Sequence, residues 1–85
     1  MDEKTLKTLI CAGALKKVRI IASGTLIYVE ADYGTTTVKA HTQKGKLKTW
    51  ASIDSAAKWV KGLGMGKAEL DIGGWMFGQK TLNLN

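Results

Sequence analysis

Four short β-prone segments, separated by glycine-containing turns, occupy positions 17–51 of the chain. They are, in order, KVRIIA (17–22), TLIYVEA (25–31), TTTVKAHT (35–42) and KLKTWA (46–51). β-Branched and aromatic residues dominate them, and the connections contain Gly24, Gly34 and Gly45. Because connections this short join antiparallel neighbours, the pattern predicts an antiparallel meander.

Helical periodicity flanks this region on both sides. Residues 2–13 place Leu6, Leu9 and Ile10 on one face, behind Asp2 as a candidate N-cap. Ser52 is a candidate cap for a second helix, in which apolar residues recur at helical spacing: Ile53, Ala56, Ala57, Val60 and Leu63. Alternation in KAELDI (67–72) predicts a further strand.

The predicted element order is therefore α-β-β-β-β-α-β. We expect an α+β fold in which two helices pack on one face of an antiparallel meander sheet of four to five strands. With 85 residues there is room for one core only. We expect residues 1–78 to form a single α+β domain and residues 79–85 to form a polar C-terminal tail.

The scarcity of cysteine and histidine excludes several kinds of site. With one of each, Cys11 and His41, a disulfide or a structural zinc site within the chain is not expected. We predict no metal and no cofactor. A lone thiol fits a reducing compartment, and the acidic start at Asp2 and Glu3 is unlike a secretory leader. No apolar run has the length of a membrane span, so we expect a cytoplasmic protein.

The charge balance favours anionic partners. Thirteen basic and seven acidic residues give a net charge of +6. The segment from Tyr33 to Trp50 contains no acid and four lysines: Lys39, Lys44, Lys46 and Lys48. If it forms a regular hairpin, these lysines share an outer face with His41 and Trp50, and Arg19 of the first strand can add to them. Such a surface suits nucleic acid, with lysines on phosphates and a ring stacked on a base.

Each of these residues also has a purely structural interpretation. The lysines can be ordinary solubilising residues that protect sheet edges from pairing. Trp50 stands where the chain bends towards the second helix, so it is either a stacking ring or part of the core. Trp75, Met76 and Phe77 lie between glycines, and they either pack on the domain or form a dimer or partner contact.

The sequence does not predict an enzyme. Acid–base catalysis would have to rely on carboxylates spread over solvent-facing strand positions. The glycine-rich stretch 62–66 follows a helix and precedes a strand, which is the reverse of the order that a phosphate-binding loop requires.

The segment from Gly45 to Trp75 resembles a pattern in small basic accessory proteins of conjugative plasmids and integrative elements. The matching positions are Gly45, Lys48, Trp50, Ser52-Ile53-Asp54, Ala56-Ala57, Leu63-Gly64 and Gly74-Trp75. They cover about a third of the chain. The resemblance implies an accessory role in the maintenance or transfer of mobile DNA.

We therefore expect a non-enzymatic nucleic-acid-binding protein with low sequence selectivity, and a homodimer is a candidate assembly. Single-stranded DNA is slightly preferred over duplex as its ligand, and RNA is a further candidate. The alternative is a protein–protein adaptor or an inhibitor, acting through an open sheet edge or through the Trp75–Phe77 segment.

Overall fold

The computed structural model describes residues 2–76, which form two helices and four strands. In chain order these are α1 (Glu3–Cys11), β1 (Leu15–Gly24), β2 (Leu26–Tyr33), β3 (Thr36–Lys39), α2 (Ile53–Gly62) and β4 (Glu69–Trp75). The predicted α+β class is confirmed. The predicted domain end at residue 78 and the tail 79–85 lie outside the described residues.

The sheet is mixed, so the prediction of an antiparallel meander was wrong. The strand order is β3-β2-β1-β4. β1 pairs antiparallel with β2, and β2 with β3, whereas β4 lies parallel to β1 with Leu70 aligned to Ile20. The physical reason is α2, which returns the chain to the end of the sheet where β1 begins. The next strand then runs in the same direction as β1, as in other crossover connections.

The predicted strand at residues 46–51 does not form a ladder. β3 ends at Lys39, and the segment that follows makes two isolated antiparallel bridges, His41 with Leu47 and Ile27 with Trp50. Between them the chain closes on itself, because the Thr42 N–H donates to the Lys46 carbonyl at 2.7 Å. The segment is therefore a curled turn rather than the arm of a flat hairpin.

Both predicted helix starts are confirmed. The Asp2 carboxylate accepts a hydrogen bond from the Thr5 N–H at 2.9 Å, which lowers the pKa of Asp2. The Ser52 hydroxyl accepts one from the Ser55 N–H at 3.1 Å. Each cap satisfies a backbone donor that has no partner within its helix.

The core lies between the helices and one face of the sheet. Val18, Ile20 and Ala22 alternate with more exposed residues along β1, and β2 contributes the next buried set, Ile27, Val29 and Ala31. Leu6 from α1 and three residues around α2 complete the cluster: Ala56, Val60 and Leu63. One sheet face is thus covered and the other faces solvent. Neither helix of the described region has the length and apolarity needed to cross a membrane.

Candidate nucleic-acid interface

An open groove of about 780 Å³ lies between α1 and the turn at residues 41–48. We call it the lysine groove. Its lining contains one carboxylate, that of Glu3, and five lysines: Lys4 and Lys7 from α1, and Lys44, Lys46 and Lys48 from the turn. The excess of cations in a concave surface concentrates positive potential there.

The turn wall of the groove carries Lys44, Lys46 and Lys48. Its backbone is held by the Gly45 N–H, which donates to the Thr42 carbonyl at 2.9 Å, and by the Lys46 N–H, which donates to the Thr42 hydroxyl at 3.2 Å. Gly45 has a φ of +85°, in the left-handed region that glycine adopts at least cost. The structure therefore confirms a reversal at Lys44-Gly45 and places its lysines along one groove.

The helix wall carries Lys4 and Lys7, which sequence reasoning did not nominate. They lie one turn apart, so they can share a face of α1, while Leu6 is buried in the core. The spacing was visible in the sequence. What the sequence did not show is that α1 packs beside the turn, because this depends on which part of the sheet the helix covers.

The tryptophans next to the groove pack on each other. The Trp50 and Trp59 ring centroids are 4.8 Å apart, with the planes tilted by 54°, and both rings pack partly buried against the core. The Lys48 ammonium lies 5.5 Å from the Trp50 centroid and 5.9 Å from the Trp59 centroid, within cation–π range. Of the two interpretations of Trp50, the structure favours packing.

Two nominated residues lie elsewhere, on the solvent-facing side of the sheet. The Arg19 guanidinium donates to both carboxylate oxygens of Asp32, at 2.8 and 3.0 Å, and its Nε is 3.5 Å from Glu30. The Lys39 ammonium lies 5.4 Å from the centre of the Tyr28 ring. Neither residue lines the lysine groove. His41, in contrast, does line it.

Asp32 and Arg19 neutralise each other. The hydrogen bonds from Arg19, followed by one from the Thr37 hydroxyl, lower the pKa of Asp32 to about 2. The same contact with Asp32 raises the pKa of Arg19. The guanidinium is committed to this pair and is a poor candidate for phosphate binding.

The solvent-facing side of the sheet therefore differs from the expected cationic surface. It presents Glu30 and Asp32 from β2 and, by strand register, Glu69 and Asp71 from β4. Lys17 lies 3.1 Å from Glu69. Lysine and carboxylate are mixed on this face, whereas the groove beside α1 has lysines in excess.

The residues of the proposed contact segment, Trp75 to Phe77, differ in their surroundings. Trp75 is partly buried against the core, and Met76 is 67% exposed. Phe77 lies outside the described residues. The Met76 N–H donates to the Gly24 carbonyl at 2.8 Å, so the backbone here is still joined to β1. Packing thus accounts for Trp75 and leaves Met76 available for contact.

Comparison of the chain with protein-family models, curated proteins and solved structures gives no match. The resemblance to plasmid accessory proteins stays a prediction made from the sequence. Within the described residues, no group of three or more His, Cys, Asp or Glu side chains is arranged to hold a metal ion. A functional interpretation therefore has to start from the lysine groove.

Proposed function

We propose that this is a non-enzymatic nucleic-acid-binding protein with low sequence selectivity, and that the lysine groove binds the phosphate backbone. The observation that carries the proposal is the convergence of five lysines from two distant chain segments on one groove with a single carboxylate. Lysines that only keep a protein in solution have no reason to collect on facing walls. Phosphates bound between them would release counterions and gain affinity.

Low selectivity follows from the type of cation. Lysine is a flexible point charge, whereas bidentate contacts to base edges come mainly from Arg, Asn and Gln. Of these types the groove lining contains Gln43 alone, and the described Arg19 is engaged with Asp32. The groove is suited to a repeated charge rather than to a base sequence.

Single-stranded DNA remains the preferred ligand of this proposal, with RNA as the next candidate. A groove with lysines on both walls can surround one backbone, and positively charged grooves of this kind follow single strands. A cytoplasmic location and an accessory role in mobile DNA belong to the same proposal. They are supported by the composition and by the sequence resemblance.

The decisive experiment compares two triple charge reversals. K44E/K46E/K48E reverses the positive charge of the turn wall. K16E/K61E/K67E reverses three exposed lysines outside the groove. Each lysine reversal changes the charge by −2, so three of them take either variant from +6 to 0. Binding of a fluorescent oligothymidylate is measured by anisotropy at several salt concentrations, and circular dichroism confirms that each variant is folded.

We expect the groove variant to lose binding and the control to retain most of it. If all five groove lysines meet phosphates, the log–log salt slope of the wild type should be about −3.5, or about −0.7 per contact. Equal losses of affinity in the two variants would show that binding depends on net charge alone, and would contradict the assignment of the site to the groove. A wild type that does not bind even at low salt would refute the nucleic-acid function.

A second candidate function, self-association through β4, is favoured by a separate observation. β4 is an edge strand, and Leu70 and Ile72 are each 49% exposed although Leu70 aligns with the buried Ile20. An antiparallel pairing centred on Asp71 sets Leu70 of each copy opposite Ile72 of the other. β4 contains two acids and no base, so none of the lysines that give the chain its charge of +6 lies on this edge, although the pairing does set Asp71 opposite Asp71 of the other copy.

Light scattering over a range of protein concentrations tests this homodimer. We expect Ile72→Lys to dissociate it, while Leu26→Lys, which changes a similarly exposed residue outside β4, leaves it intact. A wild type that stays monomeric at high concentration would contradict self-association. The exposed edge of β4 would then be a candidate binding site for a different protein, as expected of an adaptor or an inhibitor.

A further inference from the structure

We infer that the lysine groove recognises the phosphate chain of its ligand without stacking the bases. The inference rests on the proposed function and narrows its ligand class to a linear chain of regularly spaced anionic phosphates. The sequence left Trp50 as either a stacking ring or part of the core, and the geometry of the rings favours the second.

The two tryptophans closest to the groove are already occupied. Trp50 and Trp59 contact each other at 4.8 Å between centroids, and the Lys48 ammonium lies over both rings. The Trp59 indole N–H donates to the Glu3 carboxylate at 2.9 Å. A base that stacked on the ring faces beneath Lys48 would have to displace that ammonium, which would remove one of the cations that attract its phosphate.

The groove lining itself offers little ring surface. Apart from the five lysines and Glu3, it consists of His41, Thr42 and Gln43. The imidazole of His41 is held with its Nδ1 2.8 Å from the Lys39 carbonyl oxygen. The other described rings lie elsewhere: Tyr28 under the Lys39 ammonium on the opposite sheet face, Tyr33 at the end of β2, and Trp75 partly buried against the core at the end of β4. A strand bound in the groove would therefore direct its bases away from these rings.

The affinity should then follow the number of phosphates and not the presence of bases. Stacked bases in single-strand-binding proteins contribute roughly 5- to 150-fold each, so their absence is measurable. The test is competition against a fluorescent oligothymidylate. The competitors are unlabelled oligothymidylate, an abasic oligonucleotide with the same number of phosphates, and inorganic polyphosphate of matched charge.

We expect the oligothymidylate and the abasic strand to compete within about threefold of each other, and polyphosphate to compete as well, since counterion release depends on phosphate charge. K44E/K46E/K48E should weaken all three together. Tryptophan emission provides a second measurement: the change per bound ligand should be the same with and without bases.

Two other outcomes are distinguishable. If oligothymidylate binds and the abasic strand is more than about tenfold weaker, or quenches tryptophan less, bases are stacked. This inference then fails while the nucleic-acid function stands. If none of the three ligands binds the wild type, the inference and the proposed function fail together.

Discussion

The indole N–H of Trp59 donates a hydrogen bond to a carboxylate oxygen of Glu3 at 2.9 Å, across 56 positions of the chain. Glu3 is the first residue of α1 and lines the lysine groove. The contact joins the first turn of α1 to α2, and so positions the helix wall of the groove. It also fixes the position of Glu3, the one carboxylate in the groove lining, which would repel an anionic ligand.

Separating these two roles of Glu3 is the first prediction. Glu3→Gln retains an acceptor for Trp59 and removes the negative charge, so oligonucleotide affinity should rise, by up to about fivefold. Trp59→Phe removes the donor and leaves the charge, so affinity should fall as α1 loses its anchor. Anisotropy titrations measure both. A decrease in the Glu3→Gln variant would mean that the carboxylate supports binding.

Asp32 should make stability depend on pH in the acid range. Its pKa is about 2 in the folded protein, against an ordinary value of 3.8. Its contribution is therefore fully present above about pH 4 and is lost as the pH falls towards 2. We expect Asp32→Asn to have a lower Tm than the wild type at neutral pH, and the two to converge near pH 2.

The matched control for that series is Asp54→Asn. Asp54 pairs with Lys58 at 3.1 Å, but both side chains are more than three-quarters exposed. Exposed pairs of this kind contribute little to stability. Thermal melts of Asp54→Asn should therefore follow those of the wild type across the whole pH range. A Tm difference between wild type and Asp32→Asn that does not change with pH would contradict the assignment.

Two glycines should respond in opposite directions to alanine. Gly45 has a φ of +85° with open space around it, so Gly45→Ala should destabilise the fold by about 1–2 kcal/mol through backbone strain alone. It should also weaken oligonucleotide binding, because the turn wall depends on this reversal. Gly62 is helical and equally unhindered, and Gly62→Ala should stabilise by up to about 1 kcal/mol. Urea denaturation measures both.

Variants at Lys48 and Lys46 should differ in their free energy of unfolding but not in their affinity for an oligonucleotide. Both line the turn wall, so Lys48→Met and Lys46→Met each remove one cation and should weaken binding similarly. Lys48 also lies over the Trp50 and Trp59 rings, and its loss should cost about 0.5–1 kcal/mol of folding free energy. Equal free energies of unfolding for the two variants would show that the cation–π contacts contribute nothing measurable.

The local elements were largely predictable because their causes lie close together in sequence. The Asp2 and Ser52 caps, the apolar face of α2 and the turn at Lys44-Gly45 depend on residues within a few positions of one another. The turn lysines of the groove were found for the same reason.

Relations between distant segments were not predictable in this way. The crossover made by α2 placed β4 parallel to β1, and so produced a mixed sheet. The docking of α1 added Lys4 and Lys7 to the groove, while strand pairing gave Arg19 a partner in Asp32. By itself the sequence determined which residues are cationic, which are apolar and where the chain turns, because these depend on local chemistry. Only the tertiary structure decided which cations share a surface and which are neutralised, because that depends on packing between segments far apart in the chain.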